Sequence, residues 1–404
     1  MADASSLAVG RHVLINEKND ASIPVTPVSY ADGPCKWCDP FGGTRLRAQV
    51  AKITAKKGNT IEIWPPFFYD FSAANAPAVM KLNTFTDRAG LEDLVVKNKV
   101  ATGGWNNNVM VMGAENSWIK GIKVDTCGKR CIDLRTYHYR VEVRDNLIEG
   151  CLDHENSDTC YGTEVAEGSS SLVENNIYHD VSQGPDLMWG ASGNVVGYNY
   201  AVGVFRTHQR TSWFWPTSWT HGAHPSYNLW EGKEMAGLNF DGYWGSASHN
   251  VGFRNRFTGF DAAAGLIPGH VENAAVIVEA NNHFMSLVGN VLGLTGWSDK
   301  YEEVSTRNWS ANLIFASGTG GTGDAKVLTT MLRHLNYDYV TKTTKQCGVG
   351  SEPSCQAGDG VSALPASLYL ASKPAWFGST AFPPIDSKGP TVADIPAKVR
   401  YAAK

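Results

Sequence analysis

Six segments of this chain repeat one pattern, and that repetition constrains the fold more than any other feature of the sequence. Each segment is a short alternating apolar strand that runs into an Asn or Gly turn and then into a second short strand. The turns lie at Asn146, Asn176, Asn199, Gly232, Asn255 and Asn290, so successive turns are 30, 23, 33, 23 and 35 residues apart. A loose period of this size is typical of repeat architectures in which each turn of the chain stacks on the last.

The turn asparagines indicate how the repeats stack. Parallel strands in successive turns of such a coil lie about 4.8 Å apart. At that spacing an Asn amide reaches the copy above and below it, and Asn also tolerates the left-handed backbone of a sharp bend. The sequence therefore predicts a buried ladder formed by Asn146, Asn176, Asn199, Asn255 and Asn290. The alternative is that these are ordinary turns of a β-sandwich, because Asn is common in turns of every kind.

On these repeats the chain resembles the right-handed parallel β-helix proteins of the pectin-lyase-like superfamily, which includes secreted bacterial polysaccharide-degrading enzymes and phage tailspikes. The repeat pattern covers residues 109–336, and the stretches 58–63, 364–369 and 373–378 are similar to parts of bacterial members. The resemblance implies an all-β fold built as a right-handed parallel β-helix. It does not imply one reaction, because the superfamily includes lyases, hydrolases, epimerases and adhesins, and a shared fold does not transfer chemistry.

The two ends of the chain differ from the repeats. Residues 47–53 and 60–64 predict a hairpin around a glycine turn, as part of an N-terminal antiparallel subdomain. The C-terminal stretch is punctuated by prolines and therefore predicts an irregular tail wrapped along the coil; they include Pro365, Pro374, Pro383, Pro384, Pro390 and Pro396. We therefore divide the chain into an N-terminal β-hairpin subdomain with the first coil (1–108), a parallel β-helix (109–344) and an irregular wrapped tail (345–404).

Charge and hydropathy argue against two classes of partner. The chain has 35 Lys and Arg residues against 39 Asp and Glu residues, a formal charge of -4. It therefore lacks the basic surplus that binding to phosphate backbones requires. Its apolar runs are all shorter than the roughly 18 residues that cross a bilayer. We expect neither nucleic acid nor a membrane as partner, and the sequence leaves the oligomeric state open.

The eight cysteines indicate the compartment. They form four close pairs, Cys35 with Cys38, Cys127 with Cys131, Cys151 with Cys160, and Cys347 with Cys355. An even number at short spacing suits local disulfides, which persist in oxidising compartments. Reduced structural thiols and a metal or redox site are the alternatives. We expect a secreted or periplasmic protein, and because residues 1–4 do not begin a signal peptide, we expect that the leader is missing from this chain.

One flank of the coil collects the candidate catalytic residues. Residues at equal offsets from their turns lie above one another on the same sheet. Offsets of about 7 to 12 hold titratable and aromatic side chains in four successive repeats. These are Asp153, His154, Glu155 and Asp158 in the first, Asp186 and Trp189 in the second, Arg206, His208 and Arg210 in the third, and Asp241, Tyr243 and Trp244 in the fourth.

Residues 207–224 are rich in Trp and His and show no helical periodicity, so they predict a loop, the part of a rigid scaffold that usually carries function. Tryptophan faces suit the apolar faces of sugar rings. Trp213, Trp215 and Trp219 are therefore candidate substrate-binding residues, unless they close a small core within the loop. The histidines of this segment are weak evidence for a metal site. We expect no metal or cofactor and leave a Ca²⁺ requirement open.

Two reactions fit these residues. Glycoside hydrolysis needs two carboxyl groups about 5 to 10 Å apart, and the pairs to test are Asp153 or Asp158 with Asp186, and Asp186 with Asp241. Elimination from a uronate needs a cation and a base, which Arg206, Arg210, His208 and His154 supply. We favour an extracellular glycoside hydrolase, because the flank carries acids and tryptophans without a lysine cluster. A polysaccharide lyase and a non-catalytic, tailspike-like carbohydrate-binding coil are the alternatives.

The candidate site therefore has two parts. The catalytic candidates are Asp153, His154, Asp158, Asp186, His208, Arg210 and Asp241. The substrate-binding candidates are Trp189, Arg206, Trp213, Trp215, Trp219, Tyr243 and Trp244. The signatures of the polygalacturonase and pectate-lyase branches are absent from the sequence, since Gly269 and His270 are followed by Val271 and the arginine motif of the lyases is missing.

Overall fold

Three long parallel sheets form the body of the molecule. The computed structural model describes residues 3–25, 35–38, 41–99, 106–155, 159–206, 217–264, 273–304, 311–321, 323–347 and 363–404. Along the chain, successive strands pass from sheet one to sheet two to sheet three and back to sheet one, so that each circuit adds one strand to every sheet. The chain is a right-handed parallel β-helix, which confirms the predicted fold.

The strands of each sheet are short and pair in register. Sheet one contains Gly90–Glu92, Trp118–Lys120, Glu142–Arg144, Leu172–Glu174, Val195–Gly197, Leu229–Glu231, Val251–Phe253, Ser286–Val288 and Leu332–His334. Sheet two contains Val95–Lys97, Lys123–Cys127, Leu147–Cys151, Ile177–His179, Tyr200–Val202, Glu234–Met235, Arg256–Phe257, Val291–Leu292, Asn336–Asp338 and the antiparallel edge strand Thr343–Lys345. Sheet three contains Val109–Val111, Arg130–Leu134, Tyr161–Val165, Gln183–Met188, Ser218–His221, Leu238–Phe240, Asn273–Glu279, Asn312–Thr319 and the edge strand Lys300–Val304.

The corner between sheets one and two holds the predicted asparagine ladder. Asn176 Oδ1 accepts hydrogen bonds from the backbone N–H and the side-chain amide of Asn146, at 3.0 and 2.9 Å. The same two hydrogen bonds join Asn176 to Asn199 and Asn255 to Asn290. Asn336 extends the ladder by one further step. The prediction of a buried ladder is confirmed.

A lysine interrupts this ladder. Lys233, not the predicted Gly232, occupies the ladder position, and its backbone N–H donates to Asn255 Oδ1 at 3.0 Å. Its side chain is buried inside the coil, where Nζ donates to Ser218 Oγ at 2.9 Å. Gly232 is instead the preceding left-handed residue, with φ at 64°. A Cβ there would lie 2.2 Å from the Tyr198 ring, so the turn requires glycine.

A second ladder, which the sequence pattern did not predict, lies at the corner that leads into sheet one. Asn228 Oδ1 accepts from the backbone and side-chain amides of Asn194, and Asn250 Oδ1 accepts in the same way from Asn228. All three asparagines are buried. Two of the three corners of the coil are therefore held by stacked amides.

The N-terminal region forms the expected antiparallel sheet. Its strands, in spatial order, are Thr60–Trp64, Arg47–Lys57, His12–Glu17 and Ala78–Lys81. The sheet docks on the turns between sheets three and one, where Val50 N–H donates to Ser169 Oγ at 3.0 Å. The short strands Thr86–Asp87 and Ala114–Glu115 pair in parallel beside it.

The C-terminal tail covers the outer faces of sheets one and two. The Tyr369 hydroxyl donates to Glu174 at 2.6 Å, and Leu368 N–H donates to Glu231 at 2.8 Å, both on sheet one. Lys398 donates to Glu234 of sheet two at 2.6 Å. The described part of the tail is irregular, as predicted, up to the helix Pro396–Ala402. That helix begins with a proline, and proline at the first helical position is pre-organised for a helix.

Helices are few and short. Besides Pro396–Ala402, the described residues form the helix Lys326–Thr330 and the 3₁₀ turns Ala73–Asn75, Ala262–Ala264 and Ala375–Phe377. None of the helices in the described ranges is long and apolar enough to cross a membrane. The predicted disulfides Cys35–Cys38, Cys127–Cys131 and Cys151–Cys160 are confirmed. Cys347 is also disulfide-bonded, and its predicted partner Cys355 lies outside the described residues.

Candidate functional site

The outer face of sheet three carries a column of three carboxylates. Alternate residues of its strands, such as Leu134 and Leu187, point into the apolar core, so the residues between them point outward. Strand register places Asp133 beside Glu164, and Glu164 beside Asp186. We call these three residues the acidic column. Since strands are about 4.8 Å apart, the backbones of its two end members are separated by roughly 10 Å.

The middle member of the column is held by two arginines. Glu164 is fully buried, and its two carboxylate oxygens form ion pairs with Arg130 and, at 2.5 Å, with Arg135. The Arg130 guanidinium also lies 4.1 Å from the centre of the Tyr161 ring. Buried carboxylates require such charge-assisted partners. Glu164 is therefore fixed in position and balanced in charge.

The first member of the column has one oxygen without a partner. Asp133 Oδ2 accepts a hydrogen bond from the Asn107 side chain at 2.8 Å, whereas Oδ1 is buried and has no hydrogen-bond partner in the part of the chain that the structure describes. Burial, followed by the negative charge of Glu164, raises the pKa of Asp133 to about 7. This carboxyl group therefore changes its protonation state near neutral pH.

The third member of the column, Asp186, has surroundings similar to those of Asp133. Asp186 Oδ1 accepts from Trp219 N–H at 3.1 Å, and the buried Oδ2 has no hydrogen-bond partner. Burial raises the pKa of Asp186 well above its usual range. The shift favours the protonated form of Asp186, which is the state that a general acid requires.

The column continues beyond the acids. Trp219 follows Asp186 on the next strand, and the register then places Asn239 beside Trp219. Asn239 is buried, and neither polar atom of its side chain has a hydrogen-bond partner among the described residues. Buried amides are normally bonded, and an exception calls for an explanation such as a catalytic role or a bound water or ion.

A histidine and an aspartate pair two residues further along the same face. His221 Nδ1 lies 2.5 Å from Asp241 Oδ2, and Tyr243 N–H donates to the other oxygen of Asp241. The His221 ring is stacked between Trp219, at 5.2 Å, and Tyr243, at 6.1 Å. An imidazole oriented by a carboxylate in this way is a common general base.

Four aromatic rings form a wall beside this pair. Trp37 packs edge-on against Trp189 at 4.9 Å and Trp244 at 5.6 Å, and Trp244 packs in turn against Tyr243. Trp37 is 48% exposed and Tyr243 is 37% exposed. The Arg135 guanidinium lies 4.5 Å from the Trp189 ring and so connects the wall to the acidic column.

The structure brings together many of the predicted site residues. Asp186, Trp189, Trp219, Asp241, Tyr243 and Trp244 all lie on the outer side of sheet three, in the acidic column, the histidine–aspartate pair or the aromatic wall. Arg206 lies at the edge of this group, where it donates to Gln183 at 3.4 Å and packs over Tyr161 at 5.1 Å.

Two predicted residues lie at the end of sheet two instead. His154 Nδ1 is 3.0 Å from the Phe205 carbonyl oxygen, Nε2 is 3.1 Å from Asp180, and the ring stacks on Phe205. Asp153 accepts from Glu155 N–H at 2.9 Å, which closes a local turn. Both residues fix the geometry of this corner.

The remaining candidates, Asp158, His208, Arg210, Trp213 and Trp215, lie outside the described residues. The sequence analysis missed Asp133, Glu164, Arg130, Arg135, Trp37 and His221. A signal for the acids existed, because an acid stands directly before a core residue in Asp133-Leu134, Glu164-Val165 and Asp186-Leu187. Within the described ranges, no group of three or more His, Cys, Asp or Glu side chains is arranged to hold a metal ion.

The comparisons with known proteins concern the fold. No protein-family model and no curated protein matches the chain. Among solved structures, it is similar to the tailspike protein of Pseudomonas phage LKA1, with a TM-score of 0.45, 11% identity, and coverage of 79% of this chain and 51% of that one.

Two further structures are similar at the same level. The tailspike of Acinetobacter baumannii bacteriophage AP22, solved with a capsular saccharide, gives a TM-score of 0.36 and 10% identity over 88% of this chain and 57% of that one. DFA-IIIase from Arthrobacter chlorophenolicus A6 gives a TM-score of 0.33 and 14% identity, over 53% of this chain and 52% of that one. The chain thus spans just over half the length of each protein. At such low identity the similarity extends to the coil alone, and the site rests on the geometry above.

Proposed function

We propose that this protein cleaves an extracellular polysaccharide on the outer face of sheet three, as a glycoside hydrolase. The observation that carries the proposal is the acidic column. Asp133 and Asp186 each present an unpartnered buried oxygen, on either side of the arginine-bound Glu164. The disulfides agree with an oxidising, extracellular compartment.

The spacing of the two aspartates favours hydrolysis with inversion. Inverting glycosidases hold their acid and base about 6.5–9.5 Å apart, which leaves room for a water molecule. The backbones of Asp133 and Asp186 stand two strands apart, roughly 10 Å, which is close to the upper limit of that range. The two pairs of neighbouring acids in the column have the shorter separation of retaining enzymes. Both pairs include Glu164, however, and its carboxylate is already ion-paired with Arg130 and Arg135.

The two pKa shifts assign the roles. Asp186, whose raised pKa favours the protonated form, donates its proton to the oxygen of the leaving sugar. Asp133, whose pKa is about 7, removes a proton from the attacking water when it is ionised. The C–O bond to the leaving sugar breaks as the water oxygen bonds to the anomeric carbon from the opposite face. Trp219 and the aromatic wall supply apolar surfaces for sugar rings.

The test is a pair of carboxyl substitutions with a matched control. We expect Asp186→Asn and Asp133→Asn each to lower the release of reducing ends from a polysaccharide panel by roughly 100-fold or more, because each removes one proton-transfer group. The control is Asp125→Asn, a half-exposed acid on sheet two that pairs with Lys97, and it should stay within about twofold of the parent. Activity of Asp186→Asn within about threefold of the parent would remove it from the reaction.

A polysaccharide lyase is the second candidate, and one observation favours it. The guanidinium groups of Arg130, Arg135 and Arg206 surround the acidic column, where a uronate carboxylate would find its cation. His221, oriented by Asp241, would take the proton next to that carboxylate as the C–O bond breaks and a C=C bond forms.

The products separate the candidates. Reducing ends without absorbance of unsaturated uronates indicate the hydrolase, and both signals together indicate the lyase. In the lyase case His221→Gln abolishes the absorbance, whereas Asp186→Asn does not. The absence of both signals across the panel, with retained saccharide binding, would assign the protein to the carbohydrate-binding coils.

A further inference from the structure

A surface pocket of about 350 Å³ lies outside the acidic column, at the turn that enters sheet one. Its lining consists of the segment Phe67, Phe68, Tyr69, Asp70 and Phe71, together with Tyr227. Five of these six side chains are aromatic, and the sixth is a carboxylate. Neither proposed reaction uses any of them.

The rings form a box whose walls face in several directions. Tyr69 meets Tyr227 at 5.2 Å with an interplanar angle of 88°, and Phe67 meets Phe71 at 5.4 Å and 73°, whereas Phe68 and Tyr227 are nearly parallel at 6.5 Å and 27°. Stacking on a sugar ring requires a single flat face, whereas these ring faces point in several directions. Several π faces around one small volume are the arrangement that surrounds a compact cation.

The box is held rigidly from behind. The buried Gln49 accepts from Phe68 N–H at 2.9 Å and donates to the Pro66 carbonyl oxygen at 2.8 Å. The Tyr69 hydroxyl lies 2.5 Å from Ser226 Oγ. The front is open to solvent, because Phe67 is 60% exposed and Tyr227 is 37% exposed. A pre-formed pocket binds without the entropy cost of ordering its walls.

The charges around the pocket favour a cation. Asp70 is exposed and is the one carboxylate in the lining, and the lining contains no Lys or Arg. The Arg47 guanidinium lies 4.9 Å from the Tyr69 ring, but it is buried and forms an ion pair with Glu17. The π faces and the Asp70 carboxylate thus leave the mouth of the pocket electronegative.

From this geometry we infer that the pocket binds an organic ammonium group, of which trimethylammonium is the best match in shape. Such a group is compact, weakly hydrated and attracted to several ring faces at once. The pocket supplies those faces on its walls and a carboxylate at its mouth. This site is independent of the polysaccharide reaction proposed for sheet three.

The experiment compares choline with its neutral isostere, 3,3-dimethylbutan-1-ol, by calorimetric titration into the full chain. The two probes have the same shape and differ in charge. We expect choline to bind at least about tenfold more tightly, since cation–π attraction to desolvated rings is worth that ratio. Phe67→Ala and Asp70→Asn should each weaken choline binding, and Phe284→Ala, another partly exposed ring, should not. Unchanged thermal midpoints will show that the variants are folded.

Equal affinity for the two probes, or no binding of either, would overturn the inference. A choline affinity unaffected by Phe67→Ala and Asp70→Asn would overturn it as well, because binding would then lie elsewhere. Saccharide cleavage is measured separately in the same variants. Loss of choline binding with intact cleavage supports this site whatever the fate of the proposed reaction.

Discussion

Replacing Asn255 by alanine tests how much the asparagine ladder contributes to stability. The side chain of Asn255 is fully buried and makes three hydrogen bonds, each at 3.0 Å. Its Oδ1 accepts from Lys233 N–H, and its Nδ2 donates to the Trp230 carbonyl oxygen and to Asn290 Oδ1. Alanine removes all three bonds and leaves Lys233 N–H and the Trp230 carbonyl oxygen without this partner inside the coil, whereas Asn290 Oδ1 keeps its bond from the backbone N–H of residue 255.

The expected loss follows from those partners. A buried polar group without a hydrogen bond costs about 1–3 kcal/mol. Two such groups, sharing one cavity and therefore not strictly additive, lead us to expect a loss of about 3 kcal/mol in the free energy of unfolding. Folded domains are stable by only about 5–15 kcal/mol, so this single change should remove a large share of the total.

Urea unfolding followed by far-UV circular dichroism measures the effect. The matched control is Asn75→Ala, which removes one hydrogen bond, from a half-buried amide to Asp20 at 3.2 Å. It should cost no more than about 1 kcal/mol. If Asn255→Ala costs no more than this control, the stacked amides do not stabilise the coil and the reasoning is wrong.

Three further predictions concern single groups. Lys233→Met should raise stability by about 1 kcal/mol or more at pH 7. Burial lowers the pKa of Lys233 well below its usual range, so at pH values between the folded and unfolded pKa the unfolded chain binds more protons than the folded chain. The parent, unlike the variant, should therefore gain stability as pH rises toward 10. Under the proposed mechanism, kcat/KM of the parent should fall about tenfold per unit below pH 7, as Asp133 protonates. Arg254→Lys should speed proteolysis of the tail, because the guanidinium donates to the carbonyl oxygens of Leu364, Pro365 and Ile385, which an ammonium group cannot match.

The coil could be predicted because its repeat leaves a direct trace in the sequence. The turns between sheets one and two contain two residues in eight of the nine circuits, and a buried amide is required at the same place in most of them. Asn146, Asn176 and Asn199 therefore mark the circuits without any knowledge of the rest. Lys233 interrupts the row of turn asparagines, so the sequence pattern places this turn one residue early, at Gly232.

The acidic column could not be found by counting from those turns. Glu164 stands 18 residues after Asn146, whereas its neighbour Asp186 stands 10 residues after Asn176. The difference comes from the connections between sheets two and three, which contain nine residues before Tyr161 but three before Gln183. A fixed offset therefore captured Asp186 and lost Glu164. Alternation within each strand, which the connections do not disturb, identifies both.

The same contrast explains why we place the proposed reaction on sheet three. Connections from sheet two to sheet three vary from 2 to 15 residues among successive circuits, which shows that the coil does not need a fixed length there. The corner with the asparagine ladder has no such freedom, and the tail occupies the outer faces of sheets one and two. Sheet three is therefore the face where side chains and connections can change without loss of the stacking. It follows that Asp133→Asn should lower the reaction rate at nearly constant stability, and that Asn255→Ala should do the reverse.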